Sequence, residues 1–203
     1  MLAAVILAAG ESRRMGTPKA LLPFPATDTT PGKITFLEHL ISVARHPRIG
    51  HLRVVLGARA EKIQSRVALD PQSRVLNQDW AKGQLSSIQA AIRSLPDGST
   101  DGAILFLVDH PLISSEVVSL LIDCFYDSGA PIVLPTYMGK RGHPVIFSSK
   151  LYNELLAAPL DTGARAVVWA HAGQVLEVST LEEGVLLNLN DPDTLKRALR
   201  EES

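Results

Sequence analysis

The 203-residue chain has a single cysteine, Cys124, so no intrachain disulfide can form. That thiol falls in the apolar stretch 117–125, which assigns it to the core. An excess of one charge is also missing. Twenty Lys and Arg against 21 Asp and Glu give a net charge of -1, which excludes a generally basic nucleic-acid binder and a polyacidic tail. Any affinity for anions must therefore be local. No uninterrupted apolar run approaches the ~18 residues of a membrane span, and the first run, residues 2–7, has no basic segment before it. A cytoplasmic protein without a membrane partner is expected. The six histidines lack His-x-x-x-His spacing and no Cys-x-x-Cys occurs, which removes a zinc site. Repeats, low-complexity tracts and a domain linker are absent too, and the length suits one well-buried domain over residues 1–203.

What is present is an alternation of short apolar runs with amphipathic stretches. Residues 3–7, 52–56, 103–108 and 131–134 read as strands, apolar at nearly every position, as strands covered on both faces are. Residues 36–44, 60–67, 85–95 and 116–127 carry apolar side chains at helical spacing, with Ser114 or Ser115 as a helix cap. Asp191-Pro192-Asp193 starts a last helix that runs to the C-terminus. The pattern predicts an α/β fold with a mostly parallel sheet. Two segments break it. Residues 23–35 read as a surface loop, a lid or a plain insertion, and residues 135–145 as a small β excursion on the sheet.

The candidate chemistry starts at the first strand's end. Leu7-Ala8-Ala9-Gly10-Glu11-Ser12-Arg13-Arg14-Met15-Gly16-Thr17-Pro18-Lys19 is bent by glycines, offers backbone amides through Ser12 and carries three cations. It is neither a Walker A element nor a dinucleotide fingerprint. A solvated turn and a phosphate cradle both fit the composition, and the position beyond a strand's carboxyl end favours the cradle. Asp109 closes the run 104–108 and is either a turn residue before His110-Pro111 or a hard oxygen ligand for Mg²⁺ facing the same crevice. Asn188 and Asn190 alternate onto one face, so either carbonyl could join a metal shell or simply cap a turn. His143, in Gly142-His143-Pro144, is a hairpin residue or a contact for an anionic second substrate. Asp161-Thr162-Gly163-Ala164-Arg165 reads as the start of a helix through residue 172, with Arg165 either solvated or a second anion contact. Ser86 and Ser87 start a helix beside the crevice but lack the Gly-x-Ser-x-Gly elbow of a serine hydrolase.

In order along nearly the whole chain, these motifs resemble the molybdenum-cofactor nucleotidyltransferases of the MobA-like NTP-transferase group. The opening pattern Leu-Ala-Ala-Gly-x-Ser-x-Arg-Met-Gly-x-x-Lys stands at residues 7–19, Gly-x-x-Ser-Ser at 83–87, and Asp-x-Pro at 109–111. Gly142-His143-Pro144 and Asp161-x-Gly163-Ala164-Arg165 are most like the cytidylyltransferase branch. The resemblance implies a Rossmann-like three-layer αβα sandwich and transfer of CMP from CTP to the phosphate of molybdopterin, with pyrophosphate released. Arg14, Lys19 and Asp109 would be catalytic. Leu7, Ala8, Ala9, Gly10, Ser12, Gly83 and Ser86 would hold the nucleotide, Asp109 and Asn190 would hold Mg²⁺, and Gly142, His143, Pro144 and Arg165 would meet the acceptor. A recipient molybdoenzyme is an implied partner. Ala9 in place of a second glycine points to CTP, whereas Asn188-x-Asn190-x-Pro192, in place of Asp-x-Asp-x-Pro, is the form of the GTP-using branch. The insertion 24–31 is also a departure. A guanylyltransferase, or a related nucleotidyltransferase acting on a sugar or small-acid phosphate, is the alternative within enzymes, and a pterin carrier without chemistry is the reading of another class.

Overall fold

The computed structural model describes residues 1–24 and 34–190, with the backbone alone at Arg14. The expected helix after Asp191 and most of the loop 23–35 lie outside the described residues, as does the Arg14 side chain.

All seven residues of β1 (Leu2–Ala8) are buried. Alternate side chains of a strand point to opposite faces, and here both faces meet helices. Leu2, Ala4, Ile6 and Ala8 join one core with α1 (Phe36–Val43), α2 (Ala60–Gln64) and α4 (Ser115–Ser128). Ala3, Val5 and Leu7 join a second core with α3 (Gln84–Arg93), α5 (Tyr152–Ala157) and α6 (Arg165–Ala170). Three layers result. β1 lies between β2 (Ile49–Leu56) and β4 (Gly102–Leu107), parallel to both, and β3 (Arg74–Leu76) extends β2 in parallel. The carboxyl ends of these four strands therefore open on one edge of the sheet.

The excursion expected near residues 135–145 is there. β5 (Ile132–Tyr137), β6 (Lys140–Arg141) and β7 (Val145–Ser148) pair antiparallel, β7 adds antiparallel to β4, and β8 (Val175–Ser179) pairs parallel with β5. Ser114 caps α4, its Oγ accepting from the Val117 N–H at 3.1 Å. The segment Asp161–Ala164 is a turn, not the first turn of a helix, because Gly163 takes φ +76°, outside the right-handed helical region, so α6 starts only at Arg165. Cys124 packs against the first core but is only partly covered. The two ends of the loop after Leu22 are tied together: Pro23 and Thr35 form an antiparallel bridge, and Phe24 N–H donates to Ile34 O at 2.8 Å. Phe24, Phe36 and Leu189 form a small third core beneath that neck.

Gly57, just after β2, fixes how closely two strand ends approach. A Cβ there would lie 2.6 Å from Ala9 O and 2.7 Å from Trp80 Cβ. Gly57→Ala should thus destabilise the protein by about 1–3 kcal/mol through overpacking, measured as a fall in the urea unfolding midpoint.

Candidate active site

At the shared strand edge lies a cavity of about 660 Å³. Its floor is the tip of β1 with the loop that follows. That loop turns on Ser12, whose φ of +56° is unusual for a residue with a side chain, and on Gly16 at +66°. Ser12 Oγ accepts from the Lys19 backbone N–H at 3.0 Å and so fastens the far end of the loop to its start. Lys19 is aimed inward by this latch. Arg13 instead pairs with Glu11 at 2.7 Å on the exposed side.

The Lys19 ammonium is 14% exposed and lies 3.0 Å from Asp109 Oδ2, whose side chain is 22% exposed. It also donates to Asn190 Oδ1. Asp109 follows β4, and its backbone carbonyl accepts from the Leu189 N–H at 2.7 Å, which draws Asn190 to the same point. A carboxylate oxygen and an amide oxygen thus already converge on one positive charge. Asn188 Oδ1, buried and without a hydrogen-bond partner among the described residues, belongs to a residue lining the same cavity. This hard-oxygen set fits Mg²⁺, which takes one or two carboxylate ligands and completes its shell with phosphate oxygens and water. Among the described residues no group of three or more His, Cys, Asp or Glu converges, so a softer, all-protein metal cage is not assembled.

The opposite end of the cavity has a different character. Across β1 from Asp109, on the β3 side, Ala9, Trp80, Gly83, Gln84 and Ser87 line it, none of them charged, while the paired Glu11 and Arg13 also border the cavity. Of the expected nucleotide residues, Leu7, Ala8, Ala9, Gly10, Ser12 and Gly83 line the cavity, together with Lys19, Asp109, Asn188 and Asn190. Ser86 does not: its Oγ lies 2.7 Å from Gly83 O, within its own helix start, while the next residue, Ser87, reaches the wall. Trp80 and Gln84 were not singled out by sequence, since neither residue type marks a site by itself. The Gly83-x-x-Ser-Ser spacing was the available signal.

Gly142, His143, Pro144 and Arg165 are not part of this lining. Gly142 is buried where a Cβ would lie 2.5 Å from Val185 O, so it lets the excursion pack on the 185 turn. His143 N–H donates to that same carbonyl at 2.9 Å, and its ring meets His110, the residue after Asp109, edge-on at 5.0 Å. Arg165 is exposed at the start of α6. Burial holds His143 neutral, with a pKa pushed down to about 4; the adjacent His110 lowers it further and Asp109 opposes. His110 is lowered as well, chiefly by burial, with Asp109 opposing.

Comparison with known proteins finds relatives along most of the chain. The family description "MobA-like NTP transferase domain" matches residues 4–175. The purine catabolism protein PucB of Bacillus subtilis is 28% identical over 96% of both chains. A probable molybdenum cofactor guanylyltransferase of Mycobacterium avium is 28% identical over 96% of this chain and 93% of its own. The molybdenum cofactor cytidylyltransferase of Escherichia coli is 26% identical over 93% of this chain and 91% of its own. The crystal structure of Rv0371c from Mycobacterium tuberculosis superposes with a TM-score of 0.82 at 29% identity, covering 98% of both chains.

The histidine pair makes stability depend on pH with a definite sign. A histidine whose folded pKa is depressed binds fewer protons folded than unfolded, so it stabilises the fold at pH above its unfolded value near 6.5 and loses that contribution as pH falls toward 4. His143→Gln should remove up to ~3 kcal/mol of the stability lost across that window. Urea midpoints taken from pH 7 to pH 4 should therefore fall less steeply for the variant than for the parent.

Proposed function

The chain belongs to the MobA-like NTP transferase domain family, and on that premise we propose that it is a cytidylyltransferase, moving CMP from CTP to the phosphate of molybdopterin or its metal-bound form in the cytoplasm. The observation that carries the reading is the Lys19, Asp109 and Asn190 cluster at one end of a cavity whose other end is uncharged. A nucleoside triphosphate has the same division, with a polyanion at one end and a neutral base at the other.

An acceptor phosphate oxygen attacks the α-phosphorus of CTP, the bond from that phosphorus to the bridging oxygen breaks, and pyrophosphate leaves with the electron pair. The acceptor is already anionic, so no strong general base is required, and the protein's task is alignment and charge neutralisation. Lys19 and the loop amides from Gly10 to Ser12 hold the triphosphate, with Arg14 as a second cation of that loop. Asp109 and Asn190 would hold Mg²⁺, with Asn188 lining the same cavity. Bound there, the ion would supply charge neutralisation of the triphosphate and of the departing pyrophosphate. Gly142, His143 and Pro144, behind Asp109, and the exposed Arg165 are assigned to the acceptor side. A recipient molybdoenzyme would take the product.

Cytosine is favoured by Ala9. Its methyl packs with Trp80 in the second core at the neutral end of the cavity, taking space that a glycine would leave there for a purine. A guanylyltransferase is the second reading, supported by an asparagine at 190 in the metal shell.

Pyrophosphate release with CTP or GTP, each with and without molybdopterin, tests the assignment. Release is expected with CTP and acceptor together. Preference for GTP would install the second reading, and no release with either nucleotide would leave a carrier. Lys19→Ala should cut turnover by roughly 100-fold while moving the urea midpoint little, because a partly exposed ion pair contributes on the order of 1 kcal/mol or less. Near-normal release by that variant would remove Lys19 from the mechanism.

A further inference from the structure

Asn77 follows β3 and is 5% exposed. Its backbone N–H donates to Leu56 O at 2.8 Å, carrying the β2–β3 ladder one residue onward. Its side-chain amide is fully used. Oδ1 accepts from the Asp79 backbone N–H at 2.9 Å, and because a backbone N–H can only donate, the oxygen and nitrogen of this amide cannot be interchanged. Nδ2 therefore gives its two hydrogens to Ser86 Oγ at 2.9 Å and Ser87 Oγ at 3.0 Å.

Two neighbouring hydroxyls are thus made to accept, and each needs an acceptor for its own proton. Ser86 has one at once in Gly83 O at 2.7 Å, with Asp79 O at 3.0 Å. Ser87 has none among the described residues, where Asn77 is its one hydrogen-bond partner. Yet Ser87 is 4% exposed and lines the cavity. Asn77 occupies one of its two lone pairs, and with no acceptor among the described residues its O–H is left to donate into the cavity.

We propose that Asn77 sets the polarity of the Ser87 hydroxyl, so that Ser87 donates to an acceptor atom, a carbonyl oxygen or unprotonated ring nitrogen, on the base of the bound nucleotide. The inference rests on the nucleotide reading above. The base is the partner because Ser87 stands with Ala9, Trp80 and Gln84 at the uncharged end, whereas phosphates belong at the Lys19 end. A freely turning serine accepts from N–H groups and donates to carbonyls alike. One held by Asn77 rejects a base that places an N–H or amino group there, which makes Asn77 a positioning residue for base selection acting through Ser87.

The test is calorimetric titration of the full chain, in Mg²⁺, with CTP, GTP and ribose 5-triphosphate, which has the sugar and phosphates without a base. Asn77→Asp keeps the shape but replaces the donor with an acceptor, turning the Ser87 proton inward. Binding of the preferred nucleotide should weaken by roughly tenfold, while ribose 5-triphosphate binds as to the parent. Ser87→Ala should show the same base-dependent loss, and the double variant should bind no more weakly than Asn77→Asp alone, as two residues acting through one bond do. If Asn77→Asp does not fold, Asn77→Ala, which frees the hydroxyl to turn, should give a smaller base-dependent loss. An equal loss on ribose 5-triphosphate, parent-like nucleotide affinity in Ser87→Ala, or additive losses in the double variant would overturn the proposal alone. A parent protein that binds none of the three compounds would overturn the nucleotide reading and this inference with it.

Discussion

The two-sided burial of β1 governs the rest of the molecule. With its odd-numbered side chains in one core and its even-numbered ones in the other, the strand has no face to offer a ligand. Chemistry can only be placed at its end, and parallel pairing brings the ends of β2, β3 and β4 to the same edge. Each strand then contributes through whatever residue comes next. The turning loop follows β1, Gly57 follows β2, Asn77 follows β3, and Asp109 stands two residues past β4. The two cores set where these residues stand, and the short segments beyond the strands set what they do.

Electrostatic economy is visible at that edge. Among the described side chains of the loop, Lys19 is held by a carboxylate and an amide oxygen, and the largely exposed Arg13 is matched by Glu11, so the described part of the loop carries little unbalanced charge. The pKa values of the two histidines beside Asp109 are lowered chiefly by burial, so neither adds a positive charge to compete with Lys19 for its carboxylate. On the proposed reading, a triphosphate with its metal would be a partner exchange for Lys19 and Asp109 and not an insertion into a bare charge. Such an exchange would cost little reorganisation, because both groups are already largely covered and aimed.

Much of this was readable from residue order. Strands buried on both faces announce themselves as uninterrupted apolar runs, so β1, β2 and β4 and their parallel pairing followed directly, and a polar residue closing such a run, as Asp109 does, stands at the carboxyl edge of the sheet. Lys19 was legible because glycines and a proline frame it. Other features depend on contacts that residue order does not encode. Asn77 reads as an ordinary turn residue until helix α3 brings two serines nine and ten positions away onto its amide. Ser86 and Ser87 are separated only by the rotation between successive helical residues, so which one faces the cavity follows from where α3 begins. The start of α6 turned on a positive φ at Gly163 that a neighbouring helical pattern concealed. His143 read as either a hairpin residue or an acceptor contact, and its burial was not legible because the packing of the excursion on the 185 turn is a long-range event.

The neck joining Pro23 to Thr35 and Phe24 to Ile34 makes the segment between them a replaceable part. Once two chain ends are held together by their own ladder and by an aromatic anchor, lengthening what they enclose costs only about 0.6 kcal/mol per doubling. Leu189, packed on that anchor, keeps Asn190 in register with Asp109 whatever the loop contains. The chain thus carries a graft point beside the Asp109 and Asn190 pair. Sequence can be gained, lost or exchanged there without moving the Lys19, Asp109 and Asn190 cluster, and what the segment presents can drift across generations while the fold stays put.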